Sequence, residues 1–172
     1  MSVYPHQVGA VDQWRVRLQS VHRQAVMIVS LFAMSVVVYT VIGFVLTRSS
    51  ANEAVSEMRA PFLIAALALS FTSIGLRRVM LSRARLASVA ASRGLNGVIG
   101  YIFNITIISS AIGETIGILA LVVSFLGGQQ TEVLILGAIG MMVVLSNYPR
   151  RAAWTNTIEY LAAELPKEYH ER

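Results

Sequence analysis

No charged residue interrupts the chain between Ala25 and Leu46. At 1.5 Å per residue a helix of that length reaches roughly 33 Å, enough to cross a hydrocarbon layer about 30 Å thick. The run is longer than the apolar region of a cleavable signal, follows a polar stretch and is not succeeded by an A-x-A-like site. It therefore reads as a retained membrane helix. Three further apolar blocks follow, Ala60 to Leu76, Val98 to Leu126 and Val133 to Leu145, the last needing Thr131 and Asn147 to reach across. With 55% hydrophobic and 13% charged residues and a mean hydropathy of +0.63, a soluble globular domain is effectively excluded. The expectation is an all-α, four-span integral membrane helix bundle made of two hairpins. It divides into an amphipathic segment over 1–24, a membrane domain over 25–146 with spans at about 25–46, 60–76, 98–126 and 131–147, and an amphipathic tail over 147–172.

The placement of cations sets an expected orientation, because Lys and Arg near span ends are retained on the cytoplasmic side. Arg15, Arg17 and Arg23 precede span one. Arg77, Arg78, Arg83, Arg85 and Arg93 separate spans two and three, and Arg150, Arg151, Lys167 and Arg172 follow span four, so these segments hold twelve of the 14 basic residues. Both termini are expected in the cytoplasm, with a bacterial inner membrane as the location. The net charge of +5 is then a topology signal and an attraction to anionic headgroups, with no nucleic-acid partner implied.

Val11, Trp14, Leu18 and Val21 recur at helical spacing before span one, as do Trp154, Ile158, Leu161 and Leu165 after span four, ending at Pro166. Both stripes predict amphipathic helices at the membrane surface, with Trp14, Arg15, Arg17, Arg77, Arg78, Arg83, Arg85, Arg150, Arg151 and Trp154 as surface residues. A partner-docking helix is the alternative in each case. Between spans two and three, Gly94, Asn96 and Gly97 predict a turn over Ser92 to Gly97. The hairpins also share a faint internal likeness, Val41–Leu46 against Leu121–Leu126 and Arg77-Arg78 against Arg150-Arg151, of a kind that arises easily by chance between membrane helices.

Span three carries an acid, Glu114, inside its apolar run. At about 100° per residue Ile105, Ile108, Ile112, Ile116, Leu119, Val123 and Leu126 lie near the pole opposite Glu114, which predicts a lipid-facing aliphatic side. Ser110 and Gly117 lie within about 60° of Glu114, with Asn104, Thr106 and Ser124 about 80° round, so the acid is expected to point into the bundle or an oligomer interface. A carboxylate at that depth is costly when ionised and should be protonated, paired or ion-bound. No basic residue lies within a span to neutralise it. The choices are a proton, a sodium ion, a cation from another subunit, or a protonated contact to a hydroxyl such as Ser30, Ser35, Tyr39, Thr40, Ser70, Thr72 or Ser73.

The stretch Ser110-Ala111-Ile112-Gly113-Glu114-Thr115-Ile116-Gly117-Ile118-Leu119-Ala120-Leu121-Val122-Val123-Ser124-Phe125-Leu126 resembles the ion-binding helix of rotary ATPase proteolipid (c) subunits, over about 25 residues of the third span. The resemblance implies that Glu114 falls on the carboxylate that carries H⁺ or Na⁺, with Ser110, Gly113 and Gly117 shaping the site and Ser109 or Thr115 assisting. Span two departs from that family in having alanines where the family has glycines. The basic connection is also longer than the family's short polar loop, so the resemblance implies a c-like ion-binding helix rather than an authentic rotor subunit.

No phosphate loop, zinc pair or dinucleotide fingerprint is present. His6, His22 and His170 share no ligand spacing, so no metal site is expected. Gly137-x-x-Gly140 and the Ala66/Ser70 pair read as helix packing. No cofactor is expected beyond H⁺ or Na⁺, and no catalytic activity from this chain alone. The expected partners are the lipid bilayer and further copies or subunits of a membrane complex. Three functions compete: ion translocation through Glu114, a non-catalytic accessory or assembly subunit, and a lipid-responsive scaffold built on the two terminal helices.

Overall fold

The computed structural model describes residues 6–49 and 59–164, with side chains described over 14–47 and 60–164. Leu165, Pro166, the side chain of Val11 and the acidic Glu53 and Glu57 lie outside the described residues. The described residues form five helices: α1 (His6–Ser49), α2 (Arg59–Met80), α3 (Arg83–Phe125), α4 (Gln130–Ser146) and α5 (Arg151–Glu164). Four stretches, Trp14–Thr47, Ala60–Met80, Arg83–Phe125 and Gln130–Glu164, are long and apolar enough to cross a membrane. This bears out the all-helical, four-span reading in its broad form.

Helix α3 is the hub, packing on each of the other four. It runs parallel to α1: a Cβ on Gly117 would meet Val36 and one on Gly43 would meet Ser124, a constant offset of 81 residues. It runs antiparallel to α4, where Gly113 faces Val144 and Gly117 faces Gly140, and to α2, where Ser73 meets Ser109.

Helices α1 and α3 have 44 and 43 residues and extend to roughly twice the length a bilayer needs. Their overhangs lie at the Arg-rich end and form a second core with α5. Trp14, Leu18 and Ala25 of α1, Leu86, Ala90, Leu95, Val98, Ile99 and Ile102 of α3, and Trp154, Ile158 and Leu161 of α5 are buried together. The two amphipathic stripes therefore differ from the surface helices expected of them. The first is continuous with span one, and both turn their apolar faces onto α3 and each other. Three stripes that each need cover find it more completely in one another than at a half-wet surface.

Local signals mark the boundaries of α2, α3 and α4. Helix α2 runs past Arg77-Arg78 to Met80 and turns at Leu81-Ser82. The turn expected over Ser92–Gly97 is therefore displaced to Leu81-Ser82, and 92–97 stays within α3, where Gly94 only kinks the helix at φ 65° and ψ −176°, a region that side chains with a Cβ avoid. At the far end of α3 the Gly128 amide donates to Val123 O at 2.9 Å and the Gly127 amide to Ser124 O at 3.3 Å, with Gly127 at φ 78°. That is a Schellman stop. Helix α4 opens on a capping box in which the Gln129 amide donates to Glu132 Oε2 at 2.9 Å.

Candidate functional site

The small residues around Glu114 face inward, and the acid does not follow them. Ser110, Gly113 and Gly117 are buried, Glu114 is half-buried, and Thr115 is exposed with its hydroxyl donating to Ala111 O at 3.0 Å. A Cβ on Gly113 would lie 2.7 Å from Val144 Cγ2 and 3.0 Å from Gly140 O, and one on Gly117 would lie 3.0 Å from Val36 Cγ2. These glycines are filled by neighbouring helices, which is what close packing in lipid requires. Within one chain the five residues Glu114, Ser110, Gly113, Gly117 and Thr115 therefore do not converge on a cage.

The expected lipid face of α3 is also corrected. Ile105, Ile116 and Val123 are buried, Ile112 and Leu119 are half-buried, and only Ile108 and Leu126 of that set are exposed. The outward arc runs instead through Asn104, Ile108, Thr115, Ile118 and Phe125. Because α3 is covered from several sides its buried arc is wide, and Glu114 falls on the border between that arc and the outer surface. Ile107, about 20° from Glu114 on the wheel, packs on the Val29, Val36 and Val144 cluster. The acid thus lies on the flank of α3 beside α1.

The level of Glu114 follows from the register. Ser109 meets Ser73 near the basic end of α2, and Glu114 lies about 8 Å further along α3, toward mid-depth of the apolar region. No hydrogen bond or ion pair of Glu114 is found among the described residues. Four of the seven hydroxyls that could have met it donate elsewhere: Thr40 to Val36 O, Ser70 to Ala66 O, Thr72 to Ala68 O and Ser73 to Ser109 O.

A polar knot that the sequence reading did not assemble lies at the basic end of the apolar region. The Asn147 amide donates to Ser73 Oγ at 3.1 Å, to Ser109 O at 3.4 Å and to Val143 O at 2.8 Å. Arg77 donates to the carbonyl of Ser146 and, at 3.3 Å, to Asn147 Oδ1. A cation at the last carbonyls of α4 complements the negative end of the helix dipole. The signal was present as Asn147-Tyr148-Pro149 at a span end. Its partners on α2 and α3 could not be read from spacing.

Of the expected surface residues, Arg15, Arg17, Arg78, Arg83, Arg85, Arg150 and Arg151 are exposed, Arg77 is half-buried as the α4 cap, and Trp14 and Trp154 are buried. Arg15 pairs loosely with Glu159 at 3.9 Å, and the Arg83 guanidinium lies 5.3 Å from the Tyr160 ring centre. His22 Nε2 donates to Pro149 O at 3.1 Å, and its ring meets Trp154 edge to face at 5.5 Å. No cluster of three or more metal-ligating side chains occurs among the described residues. Compared with protein-family models, curated proteins and solved structures, the chain has no significant match.

Proposed function

We propose that the chain is a non-catalytic subunit of a membrane assembly, joined to a second copy or a partner subunit through the α1–α3 flank that carries Glu114. The observation behind this reading is a carboxyl group near mid-depth, half-buried at the outer edge of the bundle and without a partner among the described residues. An ionised acid facing hydrocarbon costs on the order of 3 kcal/mol, and a neighbouring helix that accepts or donates a hydrogen bond removes most of that cost. In this reading the Arg-rich end lies in the cytoplasm with both termini.

A second reading draws on the same residue. An unneutralised carboxyl can take up H⁺ or Na⁺, and the likeness of α3 to proteolipid ion-binding helices favours a role in ion translocation. Because Ser110, Gly113 and Gly117 are turned inward, the remaining ligands would come from another subunit.

Carbodiimide labelling and oligomer mass separate the two. Under the assembly reading Glu114→Leu lowers the oligomer mass measured in mild detergent, Glu114→Gln preserves it, and labelling is slow and indifferent to Na⁺. Under the ion reading Glu114→Gln also assembles, but wild-type Glu114 labels rapidly and Na⁺ or high pH protects it. An unchanged oligomer in Glu114→Leu together with inert Glu114 overturns both.

A further inference from the structure

Outside the membrane-spanning part, a cleft of about 510 Å³ opens between α1 and the first turn of α5, bordered by Trp14, Arg15, Val16, His22, Arg151 and Trp154. We propose that it holds the phosphate of an anionic phospholipid headgroup.

Three observations converge on that ligand. The first is charge: Arg15 and Arg151 supply guanidinium donors, His22 adds an imidazole, and no carboxylate lines the cleft among the described side chains. Guanidinium groups match phosphate oxygens bidentately, and they stack on indole faces while doing so. Arg15 already lies over the Trp14 ring at 5.4 Å. Glu159, which pairs with Arg15 at 3.9 Å, is outside the lining and largely exposed, so an incoming phosphate competes with a weak pair.

The second is height. The charge-free part of α1 begins at Ala25, so His22 lies about 5 Å and Trp14 about 16 Å beyond the apolar boundary. The headgroup layer adds roughly 5–7 Å on each side of the hydrocarbon, which brings the His22 end of the cleft to headgroup level, while Arg15, its backbone about 15 Å out, has a long flexible side chain to reach down to it.

The third is what adjoins the cleft. Val16, at its lip, shares one face of α1 with Met27, Leu31, Met34, Val38, Val41 and Val45, all exposed. On a 100° wheel these fall within about 60° of Val16, and Arg23 lies between Val16 and Met27 near the apolar boundary. A soluble phosphate has no use for such a stripe. An acyl chain leaving the headgroup can lie along it, while Arg23 keeps its charge at the surface.

The chain has two tryptophans, and both border the cleft, so intrinsic fluorescence of the full-length protein reports on this place alone. In nanodiscs, phosphatidylglycerol brominated near the top of its acyl chains is expected to quench at least twofold more than equally brominated phosphatidylcholine. The double variant Arg15→Gln/Arg151→Gln abolishes the difference, whereas Arg83→Gln/Arg85→Gln keeps it. Glu159→Gln, which frees Arg15, strengthens the preference and guards against reading a misfolded double variant as a binding defect. Equal quenching by the two lipids, or equal loss in the Arg83/Arg85 variant, overturns the proposal. So does relief of the lipid-specific quenching by millimolar inorganic phosphate, which would make the ligand a free phosphate.

Discussion

The Asn147 amide at the end of α4 donates to the Ser73 hydroxyl of α2 at 3.1 Å, and Ser73 in turn donates to the Ser109 carbonyl of α3 at 3.2 Å. Three helices are thereby tied at one level, where the apolar region gives way to the Arg-rich end. Both side chains are buried, Asn147 at 3% and Ser73 at 0% exposure. A missing partner would leave polar groups dry, which costs more than the bond itself contributes.

Asn147→Ala is therefore expected to destabilise the protein by about 1–3 kcal/mol, partly by stripping Arg77 of one of its two acceptors. Ser73→Ala should cost less, under about 1 kcal/mol, because the Asn147 amide keeps Ser109 O and Val143 O. Denaturant unfolding in one detergent compares the two. Equal losses would mean that the knot does not act through Asn147.

Gly113 and Gly140 meet back to back across the α3–α4 contact. A methyl group on Gly113 would lie 2.7 Å from Val144 Cγ2 and 3.0 Å from Gly140 O, and backbone cannot yield as a side-chain tip can. Gly113→Ala should cost about 1–3 kcal/mol by overpacking. Gly100→Ala, where nothing lies within 4 Å, should instead gain about 0.5–1 kcal/mol from the better helix former. The sign difference in unfolding midpoint is the test.

Gly94 holds φ 65° and ψ −176° at the break in α3. Gly94→Ala should cost about 1–3 kcal/mol and loosen the segment that carries Leu86 and Ala90 against Trp154. A red shift of tryptophan emission should accompany the loss. Unchanged emission would mean that the break can straighten without disturbing that core.

The chain has no cysteine, so single exposed cysteines report topology cleanly. A membrane-impermeant maleimide should label Thr131→Cys in right-side-out vesicles and Ser92→Cys in inverted ones. The reverse pattern would place the Arg-rich end outside and contradict the charge-based orientation.

Chain length, apolar run and turn chemistry are local properties, and they were legible residue by residue. The four apolar spans and an irregularity at Gly94 were legible in this way, whereas the reversal between α2 and α3 falls at Leu81-Ser82, where no glycine or proline marks it. Trp14 and Trp154 were legible as members of apolar stripes, but a stripe states only that cover is needed. That α3 and α5 supply it, in place of a headgroup layer, depended on α1 and α3 overhanging together.

Glu114 marks the same limit at the candidate site. Its presence in an apolar run, and the small residues around it, were determined by the sequence alone, and so was the angle between them. Which pole of α3 faces inward was decided by the tertiary structure, because lipid and bundle interior are equally apolar and hydrophobicity offers no contrast between them. The wheel was set by Gly113 and Gly117 closing on Val144 and Val36 and by Ser109 meeting Ser73. Those contacts turned Ile116 inward and left Glu114 on the flank, since close packing between small residues outweighs the preference of any single side chain for one apolar surroundings over another.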